Sequence, residues 1–232
     1  MSDRGSIAVV IPAFNAAPSI GDVVQRTLAQ MPEVLVIDDG SNDQTAEEAR
    51  SAGAEVLIQP ENRGKGAALR LAFTTLFERG FAGVLTLDAD GQHLPEEIPK
   101  LMKAWPGGAD LILGSREHLF AEMARIRRAS NGLSSRAISF AAGRVVADVQ
   151  TGFRLYSRSL LEATGFPEDR FEAESAVVVR AARRGFTIET VPIRLGFADG
   201  RCTSHYRPLV DSLRIARAVI RARFEGHGRP GL

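Results

Sequence analysis

IAVVIPAFNAAPSIGDVVQRTLAQMPEVLVIDD, residues Ile7–Asp39, is the stretch that decides the fold. Ile7–Ile11 is a short β-rich apolar run ended by Pro12. Ser19 is expected to cap a helix, because Ile20, Val23, Val24 and Leu28 recur with the 3.6-residue period. Val34–Ile37 is the next apolar run. Strand, helix and strand thus follow one another, and the pattern continues outward. A helix is expected over Asp43–Ala52, stopped by Gly53, then a strand at Glu55–Ile58. Gly64–Arg79 reads as a helix with Leu69, Ala72, Phe73, Leu76 and Phe77 on one face. Val84–Leu87, a helix over Pro95–Ala104 and a strand at Leu111–Leu113 follow. Continuous apolar strands separated by amphipathic helices predict an α/β fold, a mainly parallel central sheet flanked by helices.

The second half is less regular. Arg116–Ala142 is rich in Arg, Ser and Ala and reads as helix with loops. Phe153–Tyr156 and Phe186–Leu195 read as strands, with a helix over Ala173–Arg184 between them. Pro208–Phe224 reads as an amphipathic helix. Leu209, Leu213, Ala216, Ile220 and Phe224 form its apolar stripe, and Arg214, Arg217 and Arg221 a second one. That stripe is expected to pack on the domain, with an anionic membrane surface as the alternative. The expected organisation is one domain over 1–207, followed by this helix and a loose tail over 208–232.

Composition narrows the class. The 232 residues carry 29 basic and 28 acidic side chains, a net charge of +1, where a nucleic-acid binder shows a larger basic excess. One cysteine, Cys202, excludes an intramolecular disulfide and any site built on two thiolates. No apolar run approaches the roughly 18 residues of a membrane span. The polar Met1–Gly5 leads straight into the first strand, so no secretory signal is expected and a cytoplasmic enzyme is.

Chemistry-bearing residues gather at strand ends. Asp88-Ala89-Asp90 follows the fourth strand, and residues two apart on an extended chain face the same side. Two adjacent carboxylates repel, and a shared proton or a bound cation relieves them. Hard oxygen donors suit Mg2+ or Mn2+, with Gln92 as a further donor and His93 a less natural one. A solvated turn is the plain alternative. Asp38-Asp39-Gly40-Ser41 follows the second strand, where acids accept hydrogen bonds from ribose; helix capping explains Asn42 or Asp43 better than it explains Asp38 or Asp39. Asn62-Arg63-Gly64-Lys65-Gly66 combines glycines with cations at a helix start, as an anion cradle or a plain glycine-rich turn. It is neither a P-loop nor a dinucleotide fingerprint, which requires Gly or Ala where Leu69 stands.

The segments VVIPAFN (Val9–Asn15), VIDDGSNDQT (Val36–Thr45), NRGKGAAL (Asn62–Leu69) and LTLDADGQHLPEEI (Leu85–Ile98) together resemble glycosyltransferase family 2. GSR (Gly114–Arg116), DVQTGFR (Asp148–Arg154), FEAE (Phe171–Glu174) and VPI (Val191–Ile193) extend the resemblance over roughly residues 6–195. The DADGQH and TGFR forms are most similar to members of the dolichyl-phosphate mannosyltransferase and polyprenyl-phosphate glycosyltransferase group. The resemblance implies a GT-A fold and inverting transfer from a nucleotide-diphosphate sugar with Mg2+ or Mn2+. It implies Asp88, Asp90 and Gln92 as metal ligands, and Pro12, Ala13, Phe14, Asp38 and Asp39 around the nucleotide. Lys65 would lie near the diphosphate. Arg116 and Arg154 would face the donor or acceptor phosphate, and Glu172 and Glu174 the acceptor. The family's first motif usually continues Asn-Glu, and here Asn15-Ala16 removes a carboxylate near the base. Cys202–Arg207 replaces the more familiar segment after the last strand.

The resemblance leaves two expected acceptors, a polyprenyl (lipid) phosphate or a hydroxyl of a glycan or glycolipid. An alcohol must lose a proton, which Glu172 or Glu174 would take. A lipid phosphate is already ionised, and Arg116, Arg154, Arg201 and His205 would clamp it. A non-catalytic nucleotide-sugar sensor or partner subunit is the third reading, and the intact acidic pair opposes it. With a lipid acceptor, peripheral contact with the inner face of a membrane is expected. The sequence leaves oligomeric state open.

Overall fold

A computed structural model describes residues 5–116, 138–146, 148–196 and 208–225. Arg201, Cys202–Arg207 with His205, most of the Arg116–Ala142 stretch and the tail from 226 lie outside the described residues. Among the described residues a seven-stranded sheet runs in the order β3-β2-β1-β4-β6-β5-β7. Its strands are β1 Ile7–Ala13, β2 Val34–Asp38, β3 Glu55–Ile58, β4 Gly83–Thr86, β5 Leu111–Ser115, β6 Arg154–Ser157 and β7 Ile188–Pro192. All pairings are parallel except those of β6, which runs antiparallel to both β4 and β5.

Alternation along each strand builds two cores. On β1, Ala8 and Val10 join Leu35, Ile37, Val84 and Tyr156 under helix α3 (Lys65–Glu78) and helix α6 (Glu172–Arg183). Ile7, Val9 and Ile11 face the other way, with Val36, Leu85 and Leu155. That second core is covered by helix α1 (Ala17–Leu28) and helix α4 (Ile98–Ala104). Helix α2 (Thr45–Ser51) packs beside α1.

The structure revises several sequence expectations. Ser19 lies inside α1 and does not cap it. The first N–H groups there are taken by the neighbouring loop: Ala16 N–H donates to Thr45 Oγ1 and Ala17 N–H to Asp43 Oδ2. Pro12 does not end β1, which continues to Ala13 in register with Asp38. On the other side β1 pairs with β4 only as far as Val10, so a proline without an N–H is tolerated there. Helix α5 (Arg158–Thr164), capped by Ser157, lies unanticipated between β6 and α6.

Helix α7 (Pro208–Phe224) packs through a stripe other than the expected one. Asp211, Ala218, Val219 and Ala222 are buried, whereas Leu213 is 62% and Phe224 78% exposed, with Ile220 and Val210 also outward. Its main partner is α6, and small side chains allow that approach. Glu225 anchors the end of α7 by accepting from the buried Arg180, which also donates to Glu168.

Candidate active site

Strand order reverses between β1 and β4, so the carboxyl ends of β1, β2 and β4 lie side by side at the point where an open α/β sheet forms a crevice. Open α/β sheets bind ligands at such a point. Pro12 and Phe14 are half-buried and Ala13 buried at its β1 side. Asn15 has φ +50°; its N–H donates to Ser41 Oγ, and its Oδ1 accepts from the Asn42 N–H. The loops after β1 and β2 are thus lashed together.

The paired acids after β2 are turned inward. Asp38 is buried and accepts the Ser41 N–H at 2.9 Å. Asp39 accepts from Gln59 Nε2 at 2.7 Å and from the Arg63 and Gly64 N–H groups at 2.8 Å each. Burial raises the Asp39 carboxyl pKa above its ordinary range, against the two backbone N–H donors. A carboxylate offers about four acceptor positions, so one remains for a ligand.

The glycines of the Asn62–Gly66 turn approach the protein itself. A Cβ at Gly66 would stand 2.4 Å from the Glu168 carbonyl oxygen, and one at Gly64 2.5 Å from that of Asp169. The Ala67 N–H donates to the same Asp169 oxygen at 2.9 Å. The turn therefore seats α3 on segment 168–170, and its local reading as an anion cradle gives way to that packing.

Lys65, the first residue of α3, reaches into the crevice. Its Nζ lies 2.6 Å from Asp88 Oδ1 and 2.8 Å from Glu174 Oε2. Burial works against the ammonium, but Asp88 and Glu174 outweigh it and raise the Lys65 pKa. Burial likewise pushes Asp88 up, and Lys65 foremost among its neighbours brings the carboxyl below the usual range. Asp90 shifts the other way, raised by burial and then by the charge of Asp88. Its Oδ1 accepts the Gln92 N–H at 2.9 Å. Ser19 Oγ donates to the Ala89 carbonyl at 2.7 Å, tying α1 to this loop. Gly152 gives Asp88 its room, since a Cβ there would stand 2.4 Å from Oδ2.

No group of three or more His, Cys, Asp or Glu side chains among the described residues is arranged to hold a metal ion. Asp88 and Asp90 lie in each other's field, and with Gln92 they are the residues that could hold an ion that keeps waters and binds phosphate oxygens. The upward pull of Asp88 on Asp90 shows negative charge that a cation would relieve. His93 is not a ligand candidate here. It is buried, stacked on Phe153 at 5.6 Å, and accepts the Asp88 N–H at 3.4 Å through Nδ1. Burial holds its pKa down to about 4, so the ring is neutral.

The two arginines part company. Arg116, at the end of β5, holds Asp148 through its backbone N–H, Nε and NH2 at 2.7–2.8 Å. Burial opposes its charge, but Asp148, then Asp88 and Asp90, raise its pKa, which places it in the field of the cluster. Arg154 contradicts the expected phosphate contact. It is 0% exposed and donates to the carbonyls of Thr151 (2.6 Å), Glu174 (2.6 Å) and Val149 (2.7 Å). Its planar fork staples the loop before β6 to α6. The Oε1 of Glu174 lies 3.7 Å from Arg154 Nε, too far for a hydrogen bond, and is buried without a partner. Glu172, two residues earlier on α6, is half-buried with Oε2 likewise without a hydrogen-bond partner. Asp148 and Gly152 were not singled out from the sequence, although both lie in the DVQTGFR segment. Asp148 has φ +43°, a local strain that the Arg116 pair holds in place.

The profile described as Glycosyl transferase family 2 matches residues 8–165. Glycosyltransferase AglJ of Haloferax volcanii is 34% identical over 199 residues, 83% of this chain. The chain spans 63% of that relative's length. Dolichyl-phosphate hexose transferase of the same organism is 35% identical over 191 residues, 81% of each chain. Polyprenol monophosphomannose synthase of Mycolicibacterium smegmatis is 32% identical over 206 residues, 80% of this chain and 75% of its own. Glucosyl-3-phosphoglycerate synthase from Mycobacterium tuberculosis, solved with Mn2+ and UDP-glucose, superposes with a TM-score of 0.70 at 23% identity. That match covers 94% of this chain and 77% of the other, and it establishes the GT-A fold.

Proposed function

The chain belongs to glycosyltransferase family 2, and from that premise we propose that it transfers a sugar from a nucleotide-diphosphate donor to a polyprenyl phosphate, with inversion at the sugar carbon. The observation that carries this reading is the cluster of Asp88, Asp90, Lys65 and Glu174 in the β1/β4 crevice. It offers carboxylates for a cation and a buried ammonium for a diphosphate. Mg2+ or Mn2+, held by Asp88, Asp90 and Gln92, would supply charge stabilisation for the leaving diphosphate. Lys65 and Arg116 add fixed positive charge beside it. Pro12, Ala13, Phe14 and the remaining acceptor position of Asp39 line the nucleotide side.

The acceptor assignment draws on the engagement of Glu174. Glu174 is already engaged by the Lys65 ammonium, and an ionised phosphate acceptor needs no base. The relatives named for dolichyl-phosphate and polyprenol substrates point the same way. Glu172 is the carboxylate left for a hydroxyl acceptor. Among the described residues no helix is long and apolar enough to cross a membrane. The outward stripe of α7, with Arg214, Arg217 and Arg221, supports peripheral contact with an anionic membrane.

The test is transfer from a panel of UDP, GDP and dTDP sugars with Mn2+. Polyprenyl phosphate, the matching free alcohol and glycan hydroxyls are offered in parallel. The expected product is a polyprenyl-phosphate sugar of inverted configuration, absent in Asp90→Ala. Transfer to hydroxyls alone overturns the acceptor, and an active Asp90→Ala overturns the metal assignment.

A further inference from the structure

We propose that Lys65 is the resident cation of this site. It occupies Asp88 in the ion-free enzyme, and steps onto Glu174 alone when a divalent ion takes Asp88. The inference rests on the metal reading of Asp88 and Asp90 and adds an exchange to it.

The geometry supplies each requirement of an exchange. Lys65 Nζ sits on Asp88 Oδ1, Oδ2 lies 3.4 Å from His93 Nδ1, and both oxygens lie against Gly152. An ion that binds through Oδ1 therefore meets the Lys65 ammonium first. The backbone of Lys65 cannot follow its side chain, because Gly64, Gly66 and Ala67 are seated on segment 168–170. Movement is left to the four-carbon stem. Nζ already touches Glu174 Oε2 at 2.8 Å, which serves as the pivot. The other oxygen of Glu174 is buried with no hydrogen-bond partner. It is an acceptor for the Lys65 N–H that lets go of Asp88.

Residue choice agrees. Of the 29 basic residues, three are lysines, at positions 65, 100 and 103. A guanidinium forks onto both oxygens of a carboxylate, as Arg116 does with Asp148. An ammonium is a single point on a flexible stem and can release one partner while keeping another. In a chain whose buried cations are otherwise arginines, such as Arg154 and Arg180, the one in contact with Asp88 is a lysine.

The experiment uses the full chain labelled with 15N at lysine Nζ, which gives at most three ammonium signals. Mg2+ is titrated without nucleotide. The Lys65 signal is expected to shift along a saturable curve while exposed Lys100 and Lys103 stay fixed. Calorimetry with Mn2+ alone is expected to show affinity rising at least tenfold in Lys65→Met. It is expected to fall in Lys65→Arg, which keeps the charge but grips Asp88 with a fork. A stationary Lys65 signal at saturating Mg2+ overturns the exchange, as does unchanged affinity in Lys65→Arg. Should Lys65→Met fail to fold, the wild-type titration and Lys65→Arg decide. Mn2+ affinity that is unchanged in Asp90→Asn overturns the underlying metal reading instead, so the two failures are distinguishable.

Discussion

Replacing Arg154 separates a staple from a substrate clamp. Its side chain is fully buried and supplies three carbonyls, of Val149, Thr151 and Glu174. Arg154→Met keeps much of the apolar stem and removes all three donors. Leaving a buried acceptor unsatisfied costs about 1–3 kcal/mol, so the three together give about 3–5 kcal/mol after partial relaxation. The whole domain is stable by about 5–15 kcal/mol, so the variant stands near the edge of folding. With a urea slope of about 3 kcal/mol per molar, the unfolding midpoint falls by about 1 M or more. Arg154→Lys reaches one carbonyl and loses about 2 kcal/mol. The assay is urea unfolding followed by circular dichroism, paired with acceptor KM measured well below the transition. A staple predicts a large midpoint loss in both variants and a KM for acceptor within about twofold. An unchanged midpoint with a KM raised tenfold or more would refute the reasoning and restore the phosphate contact.

Gly66→Ala tests the seating of α3. Alanine favours a helix by about 1 kcal/mol over glycine, but its Cβ would meet backbone atoms of segment 168–170 from 2.4 Å. A net loss of about 1–2 kcal/mol is expected in urea unfolding, and a stabilised variant contradicts the packing. Acid lability is expected from His93. Its folded pKa of about 4 lies below the ordinary 6.5, so unfolding takes up a proton between those values. The contribution is complete above about pH 6.5 and falls by about 2 kcal/mol on going from pH 7 to pH 5. Asp90, shifted upward, opposes part of that loss. His93→Phe should therefore lose less stability than wild type over the same span, and equal losses would show that His93 is not the source. The double variant Ile220→Ser, Phe224→Ser removes exposed apolar surface without touching the buried face of α7. It should fold normally and lose flotation with anionic liposomes at low salt. Retained flotation removes α7 as the contact.

The parallel half of the sheet was legible because each strand is a pure apolar run and each helix keeps one period. Strand direction leaves no such trace. Arg154–Ser157 reads as a strand in either sense, and its antiparallel insertion between β4 and β5 is set by tertiary pairing. Helix α5 has seven residues, too few for a period to emerge, though Ser157 was available as a cap signal. On α7 the pattern carried two stripes. Size and hydropathy favoured Leu213, Ile220 and Phe224, whereas close approach to α6 selected Ala218, Val219 and Ala222. Burial there follows the partner's shape, which the helix's own residues do not encode.

Motif residues at the site fall into two groups that local sequence does not tell apart. Asp39 and Arg154 are satisfied largely by backbone: two N–H groups and Gln59 for the acid, three carbonyls for the arginine. Their partners lie 3–25 positions away, mostly in other elements, so the letters show charge without showing its commitment. Lys65, Asp88 and Glu174 are held by one another's side chains, and Arg116 with Asp148 mainly so, with the Arg116 N–H added. Giving up a backbone bond leaves a buried peptide group bare. Giving up a side-chain ion pair leaves two charges that an incoming diphosphate and its counter-ion can reclaim. Exchange is therefore cheap for the second group and ruinous for the first. On the proposed function, the pairs around Asp88 are the ones that exchange charge, and Asp39 and Arg154 keep their partners throughout.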